Sequence, residues 1–250
     1  MLDVVAIVGA SAVAAIIDAY TGEIPEWLTI PLIFLGLAYA WFSGFFWTAL
    51  LVSVATLGIG YLLYYTGELG GGDVLLLAGI AAWKPFIGVA GFSVPSPLPI
   101  LVLGLILSSI FFSVYYSLYL GRKLWWLRIV PVPYAFTPPL LAGVYGSIVT
   151  AYLGQRYREE LFVRERKVED LVPEDVLAEP VDALPPGKKV LEKKDIELLK
   201  EKGVETVKVL DNLPRFGPFI LLALLLLLYL EANPSEAYRY ATPLFFLNVG

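Results

Sequence analysis

No lysine, arginine, aspartate or glutamate occurs between Leu28 and Tyr65, and no lysine or arginine occurs anywhere before Lys84. A helix needs about 20 mostly apolar residues to cross roughly 30 Å of hydrocarbon. The uncharged run is long enough for two such crossings, with Ser43 and Gly44 as the turn between them. Comparable runs recur, so spans are predicted at Val4 to Tyr20, Leu28 to Ser43, Phe45 to Tyr65, Val74 to Trp83, Leu98 to Leu120 and Phe216 to Leu230. The expected fold class is an all-α polytopic membrane protein of about six transmembrane helices. The fourth span is short, because Lys84 and Pro85 interrupt it. It is expected to begin in the polar margin of the bilayer, or to be completed by residues 86–92 folding back. Composition agrees: 58% of the 250 residues are hydrophobic and only 16% are charged, against about 25% charged in soluble domains.

Charge is concentrated in one place. Residues 155–212 hold 12 of the 18 Lys and Arg and 15 of the 23 Asp and Glu. This stretch reads as a small mixed α/β insert facing water, with a helix from Lys193 to Lys202 stopped by Gly203 and a strand from Glu205 to Leu210. Its near balance of signs gives no reason to expect a nucleic-acid partner. Cysteine and histidine are both absent, which removes disulfides, thiolate chemistry, HExxH zinc sites and the Ser-His and Cys-His nucleophile pairs. No cofactor or metal is expected. Carboxylates remain as the acid and base of any hydrolytic chemistry. The first apolar run lacks the basic start and small-residue cleavage site of a signal peptide, so it is expected to persist as a span.

Basic residues near span ends favour the cytoplasm. Arg122, Lys123 and Arg128 follow the fifth span, and counting back from them puts residues 20–27 and 66–73 inside as well. Residues 134–154 are apolar enough to cross, yet basic clusters flank them on both sides, and Pro138, Pro139, Gly143 and Gly146 interrupt them. An interfacial or re-entrant element is expected there, with a seventh span as the alternative. The organisation is therefore a membrane domain over 1–120, an interfacial or re-entrant segment over 121–154, a soluble insert over 155–212, and a last helix with an external tail over 213–250.

Ionisable groups at membrane depth are costly and mark function by default. Those at or near span ends are Asp18, Glu23, Glu68, Asp73, Lys84 and Glu231. Asp18 sits near a helix C-terminus, facing the negative end of the helix dipole, with no cation near it in sequence. Asp73 opens the fourth span after three glycines. It reads equally as an N-cap and as a reactive group. The topology brings both aspartates to one face, and two carboxylates sharing a water are the minimum equipment for acid-base hydrolysis of a peptide bond. Gly70 and Gly72 lack Cβ atoms and are expected to let an extended substrate backbone approach the acid. Glu23 and Glu68 read as solvated loop charges, and Lys84 and Glu231 as interfacial anchors.

Three stretches together carry a resemblance: "DAYTGEIPEWLTIP" from Asp18, "GELGGGDVLLLAGIAAW" with Gly70, Gly72 and Asp73, and "PRFGPFILLALL" from Pro214. In order and spacing they resemble the type IV prepilin peptidase family, and more closely its archaeal branch, which processes preflagellins and other pilin-like precursors. The resemblance implies a membrane aspartyl protease of the GxGD type with Asp18 and Asp73 as its catalytic pair. It also implies a multi-pass protein of the cytoplasmic membrane whose partners are pilin or archaellin-like precursors and membrane lipid. The cysteine-bearing N-terminal domain associated with N-methylation in bacterial members is missing, so methyltransferase activity is not expected. The insert looks like the soluble domain of archaeal members. In "FGPF", Pro218 fits the first turn of a helix and Gly217 allows close packing. Two other classes stay open from the residues alone: an ion or solute transporter using Asp18 and Asp73 as a proton or cation site, and an assembly platform that binds pilin subunits without cutting them.

Overall fold

The computed structural model describes residues 1–66, 69–89, 91–122, 124, 127, 130–131, 133, 139–172, 175–185, 191–210 and 215–235. The described chain is mainly helical. It runs α1 (Leu2–Thr21), α2 (Glu26–Phe42), α3 (Phe46–Thr66), α4 (Gly71–Trp83), β1 (Phe86–Val89), β2 (Phe92–Pro95), α5 (Pro97–Leu120), α6 (Pro139–Arg156), α7 (Arg158–Phe162), β3 (Val163–Lys167), β4 (Val176–Leu177), α8 (Lys193–Glu201), β5 (Thr206–Leu210) and α9 (Gly217–Ala232). Among these, Leu2–Thr21, Phe46–Tyr64 and Pro97–Leu120 are long and apolar enough to cross a membrane. Glu26–Phe42, Gly71–Trp83 and Gly217–Ala232 are apolar but shorter. The six expected segments are thus all helical, while only three have full spanning length.

The shortest of them, α4, lies at the centre. Every residue from Asp73 to Trp83 except Leu75 is buried. Its 13 residues reach only about 20 Å at 1.5 Å per residue, a length tolerable where a helix is enclosed by protein rather than lipid. Small residues make the enclosure possible. A methyl added to Gly79 would lie 2.7 Å from Leu32 Cδ2, and one added to Gly36 would lie 2.8 Å from the Ala82 Cβ. The polar groups on this core are satisfied locally: Trp83 Nε1 donates to the Leu32 carbonyl at 2.9 Å and Ser53 Oγ to the Ala78 carbonyl at 3.1 Å. Leu32 beside Gly79 and Gly36 beside Ala82 place α2 parallel to α4, while Ser53 beside Ala78 and Gly60 beside Val74 make α3 antiparallel to it.

Beyond Trp83 the chain folds back as the antiparallel hairpin β1–β2, with Phe86 opposite Pro95. One of the two outcomes expected for the short fourth span is therefore the one adopted. The hairpin is tied to the far end of α9: Gly88 N–H donates to Glu231 Oε1 at 3.0 Å, and Lys84 Nζ lies 3.1 Å from Glu231 Oε2. The two residues expected as separate anchors are partners.

α6 packs along α5 in parallel. Gly143 faces Ile106, Gly146 faces Ser109, and Tyr116 meets Phe162 beyond the end of α6. Ser109 and Ser147 share a hydrogen bond of 2.9 Å, and Thr150 Oγ1 donates to the Ser109 carbonyl at 3.3 Å. Both helices therefore finish at the same end of the molecule. Of the expected segment, residues 134–138 lie outside the described residues. The tail 241–250 does too.

The insert is a three-stranded antiparallel sheet of order β3-β5-β4. Val207 and Val209 of β5 point into a core with Val168, Leu177, Leu191 and Leu199. α8 opens with a capping box between Glu192 and Asp195. On the outer face Glu179 bonds Lys208 at 3.0 Å and holds its ammonium above the ordinary lysine value. The helical part, by contrast, presents apolar side chains outward, among them Phe34, Leu35, Trp47, Leu51, Leu105 and Leu226. Exposed apolar surface on this scale marks an interface with something other than water, and together with the spanning helices it describes a membrane-embedded protein.

Candidate active site

α1 ends where Gly22 takes the left-handed conformation, φ 85°, and donates its N–H to the Asp18 carbonyl at 2.8 Å. That stop sets Asp18 in the last turn of α1, with its side chain 4% exposed. Carbonyls in a final helical turn lack intrahelical donors, and N–H groups in a first turn lack acceptors. Here the end of α1 meets the start of α9, and the two deficits meet as well. The Gly217 N–H donates to Asp18 Oδ2 at 2.9 Å, and the Arg215 guanidinium donates to the Ala19 carbonyl. The Arg215 charge also acts on the Asp18 carboxylate. Along the chain Asp18 has no nearby cation and faces the wrong end of a dipole; the fold adds a partner from 197 residues away and the positive end of a second helix.

Asp73 is the third residue of α4. The N-cap is Gly70, with φ −73° and ψ 146°, so the capping role open to Asp73 takes a different form from the one expected. From the third helical position the Asp73 carboxylate turns back toward the cap residue. A methyl on Gly70 would sit 2.9 Å from Asp73 Oδ2. Asp73 is 9% exposed.

Gly72 faces inward onto the loop that follows α1. A methyl there would lie 2.6 Å from the Ile24 carbonyl oxygen and 2.8 Å from Ile24 Cβ. The backbone that Gly72 admits in this structure is the chain's own. None of Gly70, Gly71 and Gly72 uses a positive φ. The contact with Ile24 fastens the start of α4 to the segment that leaves α1, and so places the two aspartates at one end of the bundle. Both carboxyl groups are buried there.

The other candidates lie apart. Glu23 is exposed, with its N–H on Thr21 Oγ1 at 3.3 Å. Glu68 lies outside the described residues, and Lys84 with Glu231 sits at the opposite end of α4 and α9. Sequence reasoning missed Arg215 and read Gly217 as packing only. A signal was present, because Arg215 is the sole cation between Lys208 and Arg239 and stands at the head of an apolar helix.

A helical, apolar-surfaced protein that draws two buried carboxylates to one end of its bundle belongs to the class of membrane proteins with an internal acid pair. Residues 5–120 match the model of the type IV leader peptidase family, a match that supports a protease. No curated protein and no solved structure matches the chain.

Proposed function

We propose that the protein is an aspartic endopeptidase of the cytoplasmic membrane that removes the leader of pilin or archaellin-like precursors, with Asp18 and Asp73 as the catalytic pair. The observation that carries this reading is the convergence of the two buried carboxylates from α1 and α4, in the part of the chain that matches the leader peptidase family. In this mechanism the two carboxyl groups share one proton. The ionised member takes a proton from a water between them as that water attacks the scissile carbonyl. The protonated member gives its proton to the carbonyl oxygen, which becomes a hydroxyl of the tetrahedral intermediate. Collapse of the tetrahedral intermediate then returns a proton to the leaving amine.

An extended precursor chain would pass beside Gly70, which is exposed at the mouth of the site and carries no side chain to obstruct it. The basic residues Arg122, Arg156 and Arg158 at the ends of α5 and α6 support a cytoplasmic position for the end of the bundle they flank.

The test is cleavage of a leader-bearing pilin precursor by the purified protein in vesicles. Loss of an acid or base group costs about 10²- to 10⁴-fold, so Asp18→Asn and Asp73→Asn should each leave the precursor essentially uncut. Full cleavage by either variant would defeat the paired mechanism. An uncut precursor with the wild type, alongside proton or cation flux, would favour the transporter.

A further inference from the structure

We infer that Gly217 and Arg215 are positioning residues for Asp18: the head of α9 forms a seat that fixes the orientation of the Asp18 carboxylate. The inference rests on the proposed role of Asp18. Two independent contacts carry it. The Gly217 N–H holds Oδ2 at 2.9 Å inside the bundle, and Arg215 grips the Ala19 carbonyl, one residue further along α1, while its charge acts on Asp18. The first contact fixes one carboxylate oxygen. The second fixes the backbone from which the side chain springs, so neither χ rotation nor fraying of the last turn of α1 can turn the acid away.

The residue type at 217 is dictated by this arrangement. A methyl there would lie 2.9 Å from Asp18 Oδ2, 3.1 Å from its Cβ and 3.2 Å from its Cγ. Those are short contacts with the side chain of a buried acid. Pro218 at the second helical position fixes the turn that aims the Gly217 N–H, and its own missing N–H costs nothing in a first turn. With one oxygen engaged by the N–H, the other is left for water or substrate.

The experiment measures kcat and KM for precursor cleavage by the full-length protein in vesicles, comparing the wild type, Asp18→Asn, Gly217→Ala, Arg215→Ala and Arg215→Lys. Thermal unfolding of each is recorded alongside. A misplaced acid slows the chemical step and leaves substrate binding alone, so Gly217→Ala and Arg215→Ala should lower kcat by about tenfold to hundredfold with KM unchanged. Arg215→Lys, which keeps the charge, should recover part of the loss. If Gly217→Ala does not fold, the half-buried Arg215 pair decides. Wild-type kcat in Arg215→Ala or in folded Gly217→Ala, or equal kcat in Arg215→Ala and Arg215→Lys, overturns the inference. Retained cleavage in Asp18→Asn would instead sink the functional reading on which it rests.

Discussion

Gly72 has the least room of the residues around the site, since the obstacle to a side chain there is the Ile24 backbone rather than a movable side-chain tip. Gly72→Ala should therefore destabilise the protein by about 1–3 kcal/mol, the usual cost of overpacking. Thermal unfolding in detergent measures this, and an unchanged midpoint would mean that α4 can shift off Ile24. Tyr116 makes the opposite case. Its ring packs against Phe112 and Phe162, but its buried hydroxyl has no hydrogen-bond partner among the described residues. An unsatisfied buried hydroxyl is a net cost, so Tyr116→Phe should match or exceed the wild-type unfolding midpoint. A clear drop would reveal a partner for that oxygen. The two aspartates were legible in the sequence because charge at membrane depth is rare. Arg215 was hidden for the converse reason: its meaning depends on a contact 196 residues distant, which no local pattern encodes.

At the scale of elements, α4 departs most from a simple span, and its shortness could be read from Lys84 and Pro85. The hairpin that completes it was legible only as one of two outcomes, because folding back depends on Glu231 at the end of α9. That dependence is testable. Glu231→Ala removes the acceptor for both the Gly88 N–H and Lys84, and should cost about 1–2 kcal/mol. Lys84→Ala removes only a partly exposed ion pair and should cost less than about 1 kcal/mol. Equal shifts in the unfolding midpoint would show that the Gly88 bond adds nothing. Helix ends set by glycine were readable to within a residue or two. Gly22 and Gly203 follow the ends of α1 and α8 with φ of 85° and 69°, and the stop at Gly203 is the one expected from the sequence. The depth at which the helices sit, by contrast, is decided by packing, which is why three of the six are shorter than a span.

For the whole molecule the consequential choice is the parallel pairing of α5 and α6, which returns the chain to the end of the bundle it had just left. The basic clusters on both sides of that segment made a return legible; the glycine face that docks it on α5 emerged only in three dimensions. Because the chain has no cysteine, single cysteines can be placed cleanly. Arg122→Cys and Arg158→Cys should react with an impermeant maleimide from one side of a sealed vesicle, and Ser43→Cys and Ser93→Cys from the other. Labelling of Arg158→Cys together with Ser43→Cys would make α6 a true crossing.

The bond between Asp18 and Gly217 also has a consequence in time. Ribosomes deliver Asp18 and Asp73 early, and Gly217 only 199 residues after Asp18. A nascent chain that has not yet emitted its last helix holds both acids but nothing to aim the first of them. On the proposed reading, a chain is unable to cut until the ribosome has passed Gly217.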